Sequence, residues 1–254
     1  AGSDAGATRT TARLDGSEWV IDGAKQFITN SGTPITRFVT VTAVTGEPGA
    51  SQREISTIIV PNGTPGFTVG PPYDKVGWHA SDTHPLVFSG ARVPEANLLG
   101  QRGRGFANFL HILDEGRVAI AALATGAAEG CLDAAVDYAK SRVVFGEPLG
   151  GRQSIQFMLA RMQQRVHVSR LAWLHAARLR DAGCPFKTEA AIAKLTSSDA
   201  AMDNARDATQ IFGGNGFMNE YPVARHFRDS KILEIGEGTT EVQLLLIARS
   251  LGLA

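Results

Sequence analysis

Short apolar runs separated by turn signals occupy the first hundred residues of the chain. Phe38–Val44, Ile55–Val60 and Pro85–Val93 alternate between apolar and polar residues or run continuously apolar, as half-buried strands do. The pairs Asp15-Gly16 and Asp22-Gly23 predict tight turns, because Asp-Gly readily supplies the positive φ angles that hairpins require. We therefore predict a small antiparallel β-barrel or sandwich.

Apolar residues recur at the spacing of an α-helix in the rest of the chain. Residues 146–148 (Gly-Glu-Pro) and 182–185 (Ala-Gly-Cys-Pro) interrupt this pattern, as helix ends should. A last helix is predicted from about Thr240 to Leu251, where Thr240 and Gln243 form a capping-box signature. Helices joined by short breaks predict an antiparallel four-helix bundle. The periodic positions are Phe106, Phe109, Leu110, Leu113, Ile120, Leu123 and Ala127, then Ile155, Met158, Leu159, Met162 and Val166, and finally Ile192, Leu195 and Met202.

The composition of the two halves agrees with this division. Residues 1–100 hold eight of the eleven prolines, whereas 25 of the 35 alanines lie in the remainder. We predict an α+β protein with a β domain over 1–102 and a helical domain over 103–254. The 25 basic and 25 acidic residues give a net charge of zero, which argues against a nucleic-acid binder and against a polybasic membrane-surface protein.

No membrane span is predicted, because the longest apolar stretch, Val118–Ala128, is interrupted by Thr125 and Gly126 and is far shorter than the ~20 residues that a bilayer requires. The two cysteines, Cys131 and Cys184, are too few for a disulfide scaffold and favour buried free thiols in a cytoplasmic protein. The six histidines are scattered, so no metal site is predicted.

One arginine falls on an apolar helix stripe. Arg117 lies four residues after Leu113 and three before Ile120, so its guanidinium needs a carboxylate, a phosphate or a polar ligand as partner. A structural ion pair with an internal acid and a ligand-binding role are equally compatible with this position. Asp114, one turn earlier, could share either role.

Two glycine-rich segments also carry candidate functional residues. The backbone amides of Gly213-Gly214 could form a nest for an anion, although a simple helix stop is the commoner outcome. Glu237 stands between two glycines just before a predicted helix, where the backbone can approach a ligand closely and the carboxylate could act as a base. On this segment alone, a solvated loop acid is the favoured interpretation of Glu237.

A series of short motifs runs along nearly the whole chain, and its order makes the set specific although each motif is weak. The motifs are AGSD at 1–4, KQFITN at 25–30, GWHASDT at 77–83, RVP at 92–94, LDEGR at 113–117, RVVFG at 142–146, Gln153, QIFGGNG at 210–216, YP at 221–222, RD at 228–229 and EGTTEV at 237–242. This ordered set resembles the acyl-CoA dehydrogenase family of flavoproteins.

The resemblance implies a fold and a reaction. Members of this family have an N-terminal helical domain, a middle β domain and a C-terminal four-helix bundle, and this chain is expected to lack the first. The implied reaction is α,β-dehydrogenation of an acyl-CoA to a trans-2-enoyl-CoA. Glu237 matches the catalytic glutamate that takes the α-proton while the β-hydrogen leaves as hydride to FAD. Its backbone amide matches a donor to the thioester oxygen, which stabilises the developing enolate.

The resemblance also implies a set of cofactor-binding residues. Phe27, Ile28 and Thr29 match the segment beside the isoalloxazine ring, with Phe where Trp is usual. Arg142, Val144, Phe145 and Gln153 match residues that bind the FAD of a neighbouring subunit. The remaining cofactor matches are Ser3, Gln210, Gly213, Gly214, Thr239 and Glu241.

On the substrate side, Ser3 matches a residue near the pantetheine of CoA, and Asp114 and Arg117 match a CoA-contacting pair. Gly238 is expected to border the thioester. Gly116 stands where a subset of the family carries an alternative catalytic acid, which favours Glu237 as the sole base. Gly236 stands where straight-chain enzymes often carry Tyr, and could leave room for a branched acyl group.

The family further implies an electron-transfer flavoprotein as electron acceptor and a homo-oligomer, a dimer of dimers, with FAD contacts across subunits. The alternatives are an acyl-CoA oxidase-like enzyme that is reoxidised by O₂, and a flavoprotein subunit of a split heteromeric dehydrogenase that needs a partner. A non-catalytic flavoprotein scaffold subunit is an alternative from another class, and a plain helical interaction module is a more remote one.

Overall fold

A computed structural model of the chain describes residues 2–46 and 53–253. Ala1, the first residue of the AGSD motif, lies outside the described residues. The chain forms two compact units, Ala1–His111 and Ile112–Ala254. The predicted α+β class is confirmed, because the first unit is built on a β-sheet and the second on helices.

The first unit contains one seven-stranded sheet. Its strands are β1 (Thr11–Asp15), β2 (Glu18–Thr29), β3 (Phe38–Val44), β4 (Ile55–Pro61), β5 (Phe67–Val69), β6 (Thr83–Pro94) and β7 (Leu98–Leu99). They lie in the order β5-β6-β2-β1-β3-β4-β7. The pairs are antiparallel as predicted, except that β1 and β3 pair in parallel through Thr11 and Val44.

The alternation in the sequence predicts the strands correctly because one face of each strand is buried. In β3 the side chains of Val39, Val41 and Ala43 are buried, and the residues between them are more exposed. They join Trp19, which is 1% exposed, in the core of this unit.

The predicted turn at Asp22-Gly23 is wrong, and β2 runs through it. The register with β6 shifts between Ile21 and Gly23, which is a β-bulge. A Cβ at position 23 would lie 2.8 Å from the Cα of Thr10, so the glycine serves close backbone approach rather than chain reversal. The side chain of Asp22 accepts a hydrogen bond from the backbone N–H of Gly90 at 2.7 Å. The turn that follows Asp15 is confirmed, since β1 and β2 pair there.

The helical unit has five α-helices among the residues that the structure describes, one more than predicted. A short hairpin, β8 (Val143–Val144) and β9 (Glu147–Pro148), connects the first two at the predicted break, and the second break, 182–185, is also confirmed. The boundary between the two compact units falls inside the first helix. The helices are α1 (Gly105–Ser141), α2 (Gln153–Asp181), α3 (Lys187–Phe212), α4 (Pro222–Ile235) and α5 (Thr240–Ser250).

Small side chains line much of the helical core. Ala121, Ala124 and Ala128 of α1 are fully buried, and such residues let helix axes approach closely. Several larger residues of the predicted apolar stripes are instead exposed in this chain, and beside Leu123 and Ile192 the neighbouring alanines are the buried residues. These exposed residues are Phe109, Leu110, Leu123 and Ile192.

The two cysteines differ in environment. Cys131 is buried as predicted, and burial raises the pKa of its thiol to about 12. Cys184 is exposed in the turn after α2, so the expectation of two buried thiols is wrong for this residue.

Helix α1 is long and apolar enough to cross a membrane by length and composition, with 44% of its most apolar window buried inside the protein. A core helix of a soluble protein passes the same test, so this property does not by itself indicate a span.

Candidate active site

The loop between α4 and α5 carries Glu237 in a strained backbone conformation. Glu237 has a φ of 55° and Gly238 a φ of 93°. A non-glycine residue in the left-handed region costs about 1–3 kcal/mol and persists only where its surroundings enforce it. The side chain of Glu237 is exposed at the surface of the helical unit. The expected site therefore has an accessible carboxylate on a fixed loop.

The carboxylate of Glu237 lies directly against α1. A Cβ atom built on Gly116 would stand 2.7 Å from Oε2 of Glu237 and 3.4 Å from its Cδ. No side chain fits at position 116 while the carboxylate keeps this place. This contact brings together two positions that the sequence relates only through the family resemblance.

Two side chains fix the loop behind Glu237. Thr239 caps α5, and its hydroxyl accepts from the backbone N–H of Val242 at 3.4 Å. The predicted capping box at Thr240 and Gln243 is therefore displaced by one residue. The Gln243 amide, fully buried, instead donates to the carbonyl oxygens of Gly238 at 2.8 Å and Glu237 at 3.3 Å.

Arg117 is buried as its position on the stripe requires, with 4% exposure. Its Nη1 donates to Oδ1 of Asp114, so the internal ion pair of the first hypothesis exists. Within the described residues its buried Nε has no hydrogen-bond partner. The pair thus keeps one desolvated donor unused, as the ligand-binding hypothesis requires.

Lys194 of α3 belongs to this site and is absent from the sequence prediction. It is 0% exposed, and its Nζ donates to the carbonyl oxygen of Gly238 at 2.8 Å. Burial lowers the pKa of Lys194 to about 8. The signal was available, since this lysine lies on the alanine-rich face of its helix just as Arg117 lies on an apolar stripe.

In the first unit, Phe27 stands on a second strained position. Its φ is 59°, its side chain is 68% exposed, and the register of β2 with β6 shifts between Lys25 and Ile28. The ring of Phe27 contacts that of Tyr73, with centroids 5.0 Å apart. Ile28 and the exposed Thr29 follow in regular pairing with β6.

Ser3 lies in the same unit, exposed, just before a single turn of 3₁₀-helix at Ala5–Ala7.

The β8–β9 hairpin gathers a third group of predicted residues. Phe145 has a φ of 50°, is 95% exposed, and lies under the guanidinium of Arg152 at 5.8 Å. Arg142 and Val144 lie on the same hairpin segment, and Gln153 is the first residue of α2. An aromatic ring this exposed on a strained residue indicates a surface built to be covered.

The glycine-rich turn follows α3 as the helix-stop hypothesis requires. Gln210 and Gly214 are exposed, and Gly213 ends the helix with a φ of 60°. A Cβ on either Gly213 or Gly214 would meet no atom within 4 Å, although the backbone N–H of Gly213 already donates to the carbonyl oxygen of Gln210. The anion nest stays a prediction.

The glycine-rich turn and the hairpin lie at the same end of α1. The ring of Tyr138, near the end of α1, stacks on that of Phe212 with centroids 4.0 Å apart. Asn215 of the turn donates to the Tyr138 hydroxyl at 3.0 Å. Gly116 and Glu237 lie about 33 Å away along α1 at 1.5 Å of rise per residue.

Glu241, predicted to lie at the adenosine end of the cofactor, is exposed in the first turn of α5. Hydrogen bonds from its own backbone N–H and then from Thr239 hold the pKa of its carboxyl below the usual value.

The predicted cofactor residues fit a flavin. An exposed aromatic ring on strained backbone, at Phe27 in the first unit and at Phe145 in the second, offers a flat apolar surface, and the exposed guanidinium of Arg142 offers donors for a diphosphate. The described residues contain no cluster of three or more His, Cys, Asp or Glu side chains that could hold a metal ion.

The chain is similar to two protein-family models and to known proteins. Residues 1–91 match the family model "Acyl-CoA dehydrogenase, middle domain", and residues 103–252 match "Acyl-CoA dehydrogenase, C-terminal domain". A probable acyl-CoA dehydrogenase of Bacillus subtilis (strain 168), YngJ, is 50% identical over 251 residues, which are 99% of this chain and 66% of that protein.

Two solved structures are similar to this chain over nearly its whole length. The butyryl-CoA dehydrogenase of Megasphaera elsdenii matches with a TM-score of 0.94 and 44% identity, over 99% of this chain and 65% of that one. A structure described as the electron transferring flavoprotein of Acidaminococcus fermentans, in connection with flavin-based electron bifurcation, also matches. Its TM-score is 0.94 and its sequence identity is 43%, over 99% of this chain and 65% of that one.

A β-sheet unit followed by a helical bundle, with both family models matched in order, defines the class. The chain belongs to the acyl-CoA dehydrogenase family. It spans about two thirds of the length of the relatives it matches.

Proposed function

We propose that this chain carries the middle domain (1–102) and the C-terminal domain (103–254) of an FAD-dependent acyl-CoA dehydrogenase. The enzyme would oxidise an acyl-CoA thioester to a trans-2-enoyl-CoA. The observation that carries the proposal is the carboxylate of Glu237, held on a strained loop against the bare backbone of Gly116.

Glu237 is the proposed base. Its carboxylate takes the proton from the α-carbon, and the electron pair of that C–H bond forms the new double bond to the β-carbon. The β-carbon gives up its hydrogen with both electrons of the second C–H bond. FAD, when bound, accepts this hydride, so that the substrate loses two hydrogens and two electrons and the flavin gains two electrons.

The loop itself assists the proton transfer. An ordinary carboxylate is too weak a base for a thioester α-proton unless the negative charge that develops on the thioester oxygen is stabilised. The backbone N–H of Glu237 is the proposed donor to that oxygen. The positive end of the α5 dipole, which begins at Thr240, acts in the same direction.

The remaining predicted residues hold substrate and cofactor. We assign Arg117 and Asp114 to the CoA moiety, since the unused Nε of Arg117 is a buried donor. Ser3 is assigned to the pantetheine and cofactor, Gly238 to the thioester, and Thr239 and Glu241 to the diphosphate and adenosine end of FAD. Phe27, Ile28 and Thr29 are assigned to the isoalloxazine ring.

We further propose that the enzyme is a dimer of dimers with FAD contacts across subunits. A cofactor whose ring lies at Glu237 is not expected to reach the other end of α1, about 33 Å away. We therefore assign the residues at that end to the FAD of a neighbouring copy. These residues are Arg142, Val144, Phe145, Gln153, Gln210, Gly213 and Gly214.

An electron-transfer flavoprotein is the proposed electron acceptor, which the similarity to the Acidaminococcus structure supports. Butyryl-CoA dehydrogenase among the matched structures supports a short acyl chain as substrate. The buried free thiol of Cys131 supports a cytoplasmic location.

Anaerobic titration of the FAD-loaded protein with a panel of acyl-CoAs tests the proposal. Addition of the true substrate should bleach the flavin absorbance, and E237Q should slow the bleaching by about 10²–10⁴-fold. E95Q, which removes an exposed carboxylate in the other unit, should match the parent. An E237Q variant as fast as the parent would refute the assignment, and peroxide release in air would indicate an oxidase.

A further inference from the structure

Lys194 is a fully buried lysine whose charged group ends at the loop that carries Glu237. Its Nζ donates to the carbonyl oxygen of Gly238 at 2.8 Å. The charged form is expensive to bury, as the lowered pKa of about 8 indicates. Because this buried ammonium donates to the Gly238 carbonyl oxygen, we expect the position of that carbonyl group to matter for function.

The same carbonyl oxygen has a second donor. The Gln243 amide, also fully buried, donates to Gly238 O at 2.8 Å and to Glu237 O at 3.3 Å. Two consecutive left-handed residues therefore have their carbonyl groups pinned from two different helices, α3 and α5. This is the support that a strained loop requires.

We propose that Lys194 and Gln243 are positioning residues, which hold the Gly238 carbonyl and thereby fix the Glu237 carboxylate and backbone N–H for proton abstraction. This inference rests on the proposed function, in which Glu237 is the base. Neither side chain is assigned a contact with substrate or cofactor.

The charges around Lys194 fit this role. Asp199, Glu234 and Glu237 favour its ammonium form, whereas Arg117 opposes it. The lysine is thus influenced electrostatically both by the proposed base and by the proposed CoA-binding arginine. A side chain needed only for packing could be replaced there by an apolar residue of similar length.

K194M and Q243M test the proposal in the FAD-loaded protein that contains this chain. Each should lower kcat by about 10- to 100-fold with KM changed less than about threefold, because a small displacement of a catalytic group slows chemistry more than binding. K187M places the same substitution at an exposed position of the same helix and should match the parent. Since both side chains bond one oxygen, the effects of K194M and Q243M on kcat should not multiply in the double variant.

Hydrogen exchange of the backbone over residues 236–239 supplies a readout independent of activity. Exchange there should be faster in K194M than in K187M, while the rest of α3 and α5 stays protected. A K194M protein with parental kcat and parental loop exchange would overturn the inference. A parent without acyl-CoA activity, or an E237Q variant as active as the parent, would instead refute the proposed function and leave the loop measurement to judge the positioning role.

Discussion

Gly116 and Glu237 are in such close contact that the Cβ of any other residue at position 116 would stand 2.7 Å from Oε2 of the glutamate. The glycine leaves a gap on α1 that the carboxylate fills. The obstructed atom is the end of a flexible side chain, so a larger residue displaces the carboxylate rather than the helix. The position of the proposed base is therefore set by the absence of a side chain on a neighbouring helix.

G116A should consequently lower kcat by about tenfold or more, because a shift of about 1 Å in a catalytic group has a cost of this order. Steady-state kinetics with the preferred acyl-CoA measures the effect. Thermal stability should not fall, since alanine is favoured over glycine in a helix by about 1 kcal/mol.

G126A is the matched control on the same helix. Gly126 is exposed, and a Cβ there would meet no atom within 4 Å. This variant should gain stability and keep the parental kcat. Equal kinetic effects of the two substitutions would mean that helix flexibility, rather than the carboxylate position, controls the rate.

The ion pair of Arg117 and Asp114 yields a stability prediction. The side chain of Arg117 is 5% exposed, so D114A would leave its guanidinium buried without a carboxylate. Loss of one partner of a buried pair costs about 3–5 kcal/mol, and partial exposure of Asp114 places the expected loss at the lower end. Urea denaturation measures it.

D114A/R117M is the control for that experiment. Removing both charges should recover most of the stability, because no unpaired guanidinium remains. If the double variant were as unstable as D114A, the loss would come from packing of Asp114 and not from the orphaned charge.

Sequence patterns predict the strands and most helices because burial of one face imposes a period of two or about 3.6. These patterns fail where contacts between residues distant in sequence determine the local backbone conformation. Gly23 marks a bulge because Thr10 lies close by, and Thr239 rather than Thr240 caps α5 because its backbone leaves the helical conformation first. Neither outcome is encoded in the local pattern.

In the candidate site, too, some residues carry a signal in the sequence, whereas others are revealed only by tertiary contacts. Arg117 and Glu237 stand out in the chain, since a charge on an apolar stripe and an acid between glycines are local signals, but only the resemblance to the family implies their roles. Lys194 gives a similar signal but has no motif around it, and its acceptor, Gly238, is far away in the sequence. The contact between Gly116 and Glu237 depends wholly on how the helices pack.

We predict that the stability of the first unit depends on pH through the imidazole of His84. Its Nδ1 lies 2.6 Å from the carbonyl oxygen of Gly70, and its Nε2 lies 2.6 Å from Oδ1 of Asp82. The bond to Gly70 and the pairing with Asp82 raise its pKa, although burial and, to a smaller extent, Lys75 oppose this. A raised histidine pKa stabilises the fold at pH values below the unfolded pKa, and this contribution is lost as the pH rises through the folded pKa.

D82N should therefore lower the melting temperature more at about pH 6, close to the unfolded histidine pKa, than at about pH 9, where the imidazole is neutral in both states. Melting curves of parent and variant across this range measure the difference. D74N, at an exposed position nearby, should give a difference that does not change with pH. A D82N effect independent of pH would show that His84 is not charged in the folded protein.

Phe145 offers a separate test of flavin contacts across subunits. Its left-handed backbone favours glycine, so F145G should relieve strain. The variant also loses the contact with Arg152 and gains conformational entropy in the unfolded state, and both effects are destabilising. Because these effects oppose the relief of strain, the free energy of unfolding without FAD should change by less than about 1 kcal/mol. If the ring packs on a bound flavin, the same variant should release FAD about tenfold more readily, as the loss of one aromatic contact predicts. Equilibrium dialysis of the purified parent and variant measures the affinity. Parental affinity in F145G would remove the hairpin from the cofactor site, while the Glu237 loop would keep its assignment.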